Sequence, residues 1–256
     1  MKISIITATF NSGRTVADTL ESVLRQDYAN YEVIVKDGGS RDNTLDICRS
    51  YEARFGGRLR IIAEPDRGIY DAMNQGIAAA TGDVVGILNS DDFYTDCHVL
   101  SKIADAMADD SIGAVYGNLV FVDGYDTSKV IRTWKGSQHV KGGFLKGWHP
   151  AHPTFYARKK CFDEFGAFDI TFNVSADFEL MLRFLEANNV KSRYIDYCFV
   201  QMRQGGESTG SIKKIIEGNK NVLRAFKKNG LKAPNFYLVR RLAPKAINLI
   251  KTKLKI

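Results

Sequence analysis

Val84-Val85-Gly86-Ile87-Leu88-Asn89-Ser90-Asp91-Asp92 fixes the fold class of this chain. The apolar run at its start is too short for a buried helix and suits a strand covered on both faces, and polar residues with two adjacent carboxylates follow at once. The same grammar occurs three times upstream. Ile3 to Ile6 reads as a strand, and Val16, Ala17, Leu20, Val23 and Leu24 then mark one face of a helix. Glu32 to Val35 is the next strand, with Leu45, Cys48 and Tyr51 behind it at helical spacing. Leu59 to Ala63 precedes a helix carrying Ala72, Met73, Gly76, Ile77 and Ala80, which returns the chain to Val84. Such alternation predicts βαβ units, hence an α/β fold built on a mostly parallel sheet flanked by helices.

In an open parallel sheet ligands bind beyond the carboxyl ends of the strands, where loops meet and helix N-termini point outward. Four polar clusters fall at that edge: Thr7-Ala8-Thr9-Phe10-Asn11, Asp37-Gly38-Gly39-Ser40, Glu64-Pro65-Asp66-Arg67-Gly68 and Asn89-Ser90-Asp91-Asp92. Several carboxylates in one crevice are costly unless a cation or donor groups balance them. Asp91 and Asp92 can offer oxygens to Mg²⁺ or Mn²⁺, with phosphate oxygens completing the shell, or can cap the following helix. Asp37-Gly38-Gly39-Ser40 is either a tight turn with a Ser cap or a nucleobase contact, since a carboxylate accepts a hydrogen bond from a uracil N–H. The glycines form neither GxGxxG nor a P-loop, which argues against a dinucleotide enzyme.

Beyond Asp92 a helix through Val99, Leu100, Ile103 and Met107 leads into the apolar run Ala114 to Val122, closed by Asp123-Gly124, a hairpin turn signal. A helix through Phe178, Met181, Leu182 and Leu185, a strand near Tyr194 to Met202 and the loop Gly205 to Gly210 complete the body.

At 256 residues, 45% of them hydrophobic and 25% charged, the chain can bury a large core and is not disordered. No apolar window reaches a membrane span and the start is too short for a signal-peptide core, so a cytoplasmic protein is expected. The four cysteines are scattered without a CxxC pair and read as structural fillers. Residues 1 to 212 hold 23 Lys and Arg against 28 Asp and Glu, a net of −5, whereas residues 213 to 256 hold 13 against one, a net of +12. An acidic body argues against nucleic acid as the partner. The last segment places Ala246, Ile247, Leu249, Ile250, Leu254 and Ile256 largely on one side of a helical wheel opposite lysines. That pattern suits an interfacial helix on an anionic membrane, or a terminal helix packed on its own domain.

Taken together, Ile5 to Asn11, Asp37-Gly38-Gly39-Ser40 with Asp42 and Thr44, the run Asp66 to Ile77, Thr81-Gly82-Asp83 and Asn89-Ser90-Asp91-Asp92 resemble family 2 glycosyltransferases of the GT-A fold, bacterial and non-processive. The resemblance covers about residues 1 to 210. It implies a nucleotide-sugar-binding half at 1–112, an acceptor-binding and catalytic half of the same domain at 113–210, and a basic helical tail at 211–256. It also implies an inverting transferase that moves a sugar from a nucleotide-diphosphate donor, by preference a UDP-sugar, to a hydroxyl of a glycan acceptor. Carried over by motif, Thr7, Thr9, Asp37 and Arg67 would contact the nucleotide, Asp92 would hold Mn²⁺ or Mg²⁺, and Asp91 would lie near the ribose or the metal. Asp177 matches the base position. Two departures are visible: Asn89 replaces a frequent Asp, and Ala176 replaces a frequent Glu before the base.

Trp148-His149-Pro150-Ala151-His152-Pro153-Thr154 lacks the further ligands of a zinc site and reads as an acceptor-side loop with Trp148 as platform; His152 is an acceptor contact or a structural hydrogen-bonding residue. Gly205, Gly206 and Ser208 form a flap over the diphosphate or a solvent loop. With the basic tail, the resemblance points to a lipid-linked acceptor in surface polysaccharide synthesis at the inner face of a membrane. The rivals are a sugar-nucleotide pyrophosphorylase, whose glycine-rich first loop is missing, and a catalytically silent nucleotide-sugar or glycan-binding module.

Overall fold

The computed structural model describes residues 1–204, 212–235, 237 and 238. Its four N-terminal strands, β1 (Ile3–Thr9), β2 (Tyr31–Asp37), β3 (Leu59–Ala63) and β4 (Val84–Ile87), pair in parallel in the order β3-β2-β1-β4. The apolar runs of β1, β2 and β4 are buried because helices cover both faces of the sheet, whereas β3, at the edge, is only half-buried. Ile3, Ile5, Val33 and Val35 pack with α1 (Val16–Leu24) and α2 (Thr44–Ser50) on one side, while Ile6 and Ile34 meet Met73 and Ile77 of α4 (Ile69–Ala79) on the other. A short α3 (Glu52–Phe55) and α5 (Val99–Ala106) join the first face.

The sheet then changes direction. β4 pairs antiparallel with β8 (Tyr156–Arg158), and β8 pairs antiparallel with β6 (Ala114–Val122). β6 runs parallel to β9 (Ser192–Arg203), and β9 takes up β5 (Phe93–Tyr94), antiparallel, at the edge. β7 (Val130–Trp134) hangs from β6 as a hairpin. The Asp123-Gly124 signal marks a wider connection than the two-residue turn expected, because the Asp123 carboxylate accepts from the amides of Tyr125 and Asp126 and rounds the chain outward. Gly86 is forced: a Cβ there would lie 2.0 Å from the Tyr156 ring across the β4–β8 pair. Beyond β8 come α6 (Lys159–Phe165), α7 (Ala176–Met181), which continues into a π-helical turn at Leu182–Ala187, and α8 (Ile212–Lys228). No helix among the described residues is long and apolar enough to cross a membrane. The amphipathic stretch expected from Ala246 to Ile256 lies outside the described residues.

Thr81-Gly82-Asp83 proves structural, at the sheet edge opposite the ligand-binding one. Glu32 accepts from Ser4 Oγ at 2.6 Å, Lys2 Nζ at 2.9 Å and the Thr81 amide at 2.7 Å, and Gly82 N–H donates to Ser4 Oγ. Burial pushes the Glu32 carboxyl up, but these donors outweigh it and hold the carboxyl down at about 2, against 4.5 when free. A lowered folded value gives stability that is complete above about pH 4.5 and is lost as pH falls toward 2, about 3 kcal/mol in all. Thermal melts of Glu32→Gln should therefore show a lower Tm than the parent chain at pH 7 and the same Tm near pH 2.

Candidate active site

The four polar clusters converge at the carboxyl edge of the parallel strands. Asp37, fully buried at the end of β2, accepts from the amides of Gly39 and Ser40 through Oδ1 and from Ser40 Oγ and Thr9 Oγ1 through Oδ2. Burial raises its carboxyl pKa, yet these four donors leave it below the ordinary value, so Asp37 is an anion that shapes the loop behind it. Asn11, in the left-handed region at φ +50°, donates its amide to Ser40 Oγ and accepts from the Arg41 amide. Ser12 Oγ reaches Ser90 Oγ at 2.7 Å, tying the β1 loop to the β4 loop. Lys36, fully buried, runs its stem through the core and places Nζ on the carbonyls of Asp37 and Glu64 and 3.4 Å from Asp66, which fixes the β3 loop. Gly38 leaves room for that carboxylate, since a Cβ there would sit 2.4 Å from Asp66 Oδ2.

Asp91 and Asp92 sit at the centre of this edge. Asp92 is 0% exposed; Asn89 Nδ2 donates to its Oδ2 at 3.0 Å, and its Oδ1 has no hydrogen-bond partner among the described residues. Burial and the charge of Asp91 push the Asp92 carboxyl well above the usual range, and burial raises Asp91 too, opposed by Arg203 and His152. The guanidinium of Arg203, the last residue of β9, makes no ion pair with either carboxylate, although the Arg203 main-chain amide acts on Asp92. The guanidinium donates to the Asp91 main-chain carbonyl at 2.7 Å, bonds Asp18 and stacks 4.9 Å over Phe93. Thr7 Oγ1 and Asn89 Oδ1 are likewise buried without partners. Two adjacent carboxyls short of countercharge, one with an orphaned oxygen, fit a divalent cation. Among the described residues no group of three or more His, Cys, Asp or Glu side chains gathers to hold one, so a ligand's oxygens would have to complete the shell.

Asp177 faces the same edge from the first turn of α7. Its Oδ2 lies 3.1 Å from His152 Nδ1, and the Tyr70 hydroxyl donates to Oδ1 at 3.4 Å. Tyr70 stacks on Phe168, and burial, then the charge of Asp177, raises its phenol pKa, so it stays a donor. His152 thus touches Asp177 directly, and the short 3-10 turn it opens, His152–Thr154, packs against both α7 and β4.

Other expected residues sit differently. Arg67 is 75% exposed and bound to Asp71, one turn into α4. Trp148 is half-buried, stacked on His139 at 5.4 Å and edge-on to Tyr116 and Phe144, so it braces its own loop. Gly205, Gly206 and Ser208 lie outside the described residues. Three contributors were not anticipated: Lys36, Tyr70 and Arg203. Tyr70 stands inside the motif run Asp66 to Ile77, and Arg203 is the cation just before the Gly-rich stretch, so both carried a signal.

The sequence profile of the family described as Glycosyl transferase family 2 matches residues 4–172. The chain belongs to that family. This family 2 glycosyltransferase is 28% identical over 210 residues to a PGL/p-HBAD biosynthesis glycosyltransferase of Mycobacterium bovis, across 82% of this chain and 79% of that one. An uncharacterized glycosyltransferase of Mycobacterium tuberculosis is 30% identical over 190 residues, 71% of this chain and 68% of its own. Among solved structures, S. aureus TarS 1-349 in complex with UDP-GlcNAc superposes with a TM-score of 0.71 at 19% identity, over 95% of this chain and 73% of that one. The chain spans 43% of the longer TarS structure. The mannosyltransferase PcManGT of Pyrobaculum calidifontis, in complex with GDP-Man and Mn²⁺, gives 0.61 at 20% identity, over 93% of this chain and 67% of that one. The shared architecture is the GT-A fold expected from the motifs.

Proposed function

We propose that this glycosyltransferase inverts the anomeric centre of a UDP-hexose or UDP-N-acetylhexosamine and transfers the sugar to a hydroxyl of a lipid-linked glycan in surface polysaccharide synthesis. What supports this reading best is the turn His152–Thr154, which holds Asp177 through His152 and packs on β4, the strand that leads to Asp91 and Asp92. Asp177 takes the proton of the acceptor hydroxyl as its oxygen attacks the anomeric carbon, and the bond to the diphosphate breaks on the opposite face. Tyr70 and His152 hold the Asp177 carboxylate for that encounter. Thr7, Thr9 and the loop shaped by Asp37 receive the nucleotide, and Arg67 closes over it from solvent. Asp91 and Asp92 would hold Mn²⁺ or Mg²⁺, which would neutralise the departing diphosphate. Gly205, Gly206 and Ser208 are assigned to the diphosphate side, and Trp148 to the acceptor side as a brace for the loop that presents His152.

The TarS complex with UDP-GlcNAc and the PcManGT complex with GDP-Man and Mn²⁺ support this choice of donor and metal by analogy of fold. A thermal-shift panel tests it. UDP-sugar with Mn²⁺ at 100 times its Kd should stabilise the chain by about 2.7 kcal/mol, UDP-sugar without metal by much less, and Asp91→Asn should lose the metal-dependent part. A melt indifferent to UDP-sugars and Mn²⁺ would end the proposal.

A further inference from the structure

Helix α8 packs one face on the body and turns another, of unusual composition, to solvent. The inner face is Gly218, Val222, Ala225 and Phe226, all buried. Gly218 lies against Ser175, where a Cβ would come within 3.3 Å of Oγ, and Asn221 donates to the Val174 carbonyl. The outer face carries Ile216, Lys220, Leu223 and Lys227 at i, i+4, i+7 and i+11, and Ile215, in the first turn, continues the stripe of Gly218 and Val222 yet is itself exposed. Ile215 and Ile216 are 50% and 52% exposed and Leu223 is 38% exposed. The helix's acid, Glu217, is half-buried on the flank, where Asn173 Nδ2 donates to it.

Single exposed aliphatics are ordinary on a protein surface, but two along one stripe interleaved with two lysines, with a third exposed at the first turn, form a continuous apolar and basic strip. Nucleic acid would use the lysines and gain nothing from the isoleucines. An anionic bilayer uses both, because aliphatic side chains enter the headgroup boundary while lysines meet lipid phosphates. Charge along the chain points the same way: residues 213 to 256 carry a net +12 and the rest a net −5, so an anionic surface attracts this end and repels the body.

We propose that the outer face of α8 is a membrane-contact surface, seated on an anionic leaflet through Ile215, Ile216, Leu223, Lys220 and Lys227. The contact orients the active site. Ser175, against which Gly218 packs, precedes Asp177 by two residues. A hydroxyl carried on a lipid in the same leaflet is therefore delivered beside the base candidate. This last step rests on the transferase reading above; the membrane contact does not.

Sedimentation of the full chain with vesicles tests the surface. Phosphatidylcholine vesicles containing phosphatidylglycerol should pellet the protein, pure phosphatidylcholine vesicles should not, and Ile215→Asp with Ile216→Asp should weaken partitioning by about tenfold or more. Lys220→Glu with Lys227→Glu should weaken it by a similar factor and remove most of its salt dependence. Both pairs change exposed side chains, so their melting temperatures and UDP-sugar shifts should match the parent chain. Failure of the parent chain to bind anionic vesicles overturns the proposal. So does binding that survives both double variants and vanishes only on removal of residues 239–256. A missing UDP-sugar shift would instead count against the transferase reading and leave the vesicle result standing.

Discussion

Asp177→Asn is expected to lower the transfer rate by about 10²–10⁴-fold while leaving the UDP-sugar thermal shift unchanged, the range that one positioned general base contributes. The amide keeps the shape and still accepts from Tyr70 or His152 through its carbonyl oxygen, but it takes no proton. His152→Gln, which can still donate to the Asp177 carboxylate, should cost less and act through orientation. Initial rates with a UDP-sugar and an acceptor lipid, beside melts of the same samples, separate chemistry from binding. A variant that transfers at the parent rate would remove Asp177 from the mechanism.

Arg183→Met is the substitution expected to cost most stability. Glu179 in α7 is 0% exposed, and Arg183 binds it through Nε at 3.1 Å and Nη2 at 2.9 Å while donating to the carbonyls of Phe165, Gly166 and Ala167. Lys228 and Asn229, at the end of α8, complete the shell around the same carboxylate. Burial raises the Glu179 carboxyl, but Arg183, Asn229 and Lys228 outweigh it and set it below its ordinary value. Removing the guanidinium leaves the buried Glu179 with Lys228 and Asn229 alone and takes the donor from three carbonyls, at a cost of about 3–5 kcal/mol, or about 10 °C in Tm. Glu179→Leu combined with Arg183→Met should recover much of that loss, since it removes both charges. If the double variant melts no higher than the single one, ionic bonding is not what holds α8 to α7.

The N-terminal half was legible because its physics is local. Ile3 to Ile6, Tyr31 to Asp37 and Val84 to Ile87 are buried on both faces, so their apolar runs are continuous, and the clusters behind them face one edge by parallel topology alone. What escaped depends on contacts distant in sequence. Lys36 reads as a solvent position in a strand pattern, yet its ammonium is held by the Asp37 and Glu64 carbonyls, a partner set visible only in three dimensions. Tyr70 and Asp177 are 107 residues apart. The strand β8, three residues long, is too short to show a period, although it is the turning point of the sheet. Trp148 adds a packing role that no sequence pattern shows, its half-buried ring meeting Tyr116, His139 and Phe144.

One ladder of hydrogen bonds runs from β3 through β4, β8, β6 and β9 to β5, a strand the chain makes early and docks late. Swinging the β3-β2-β1-β4 side against the rest would tear the β4–β8 seam, so among the described residues the sheet itself provides no hinge to open like a clamshell. Above that continuous floor, the connections that follow β1, β2, β3 and β4 are the parts left to adjust to whatever occupies the crevice.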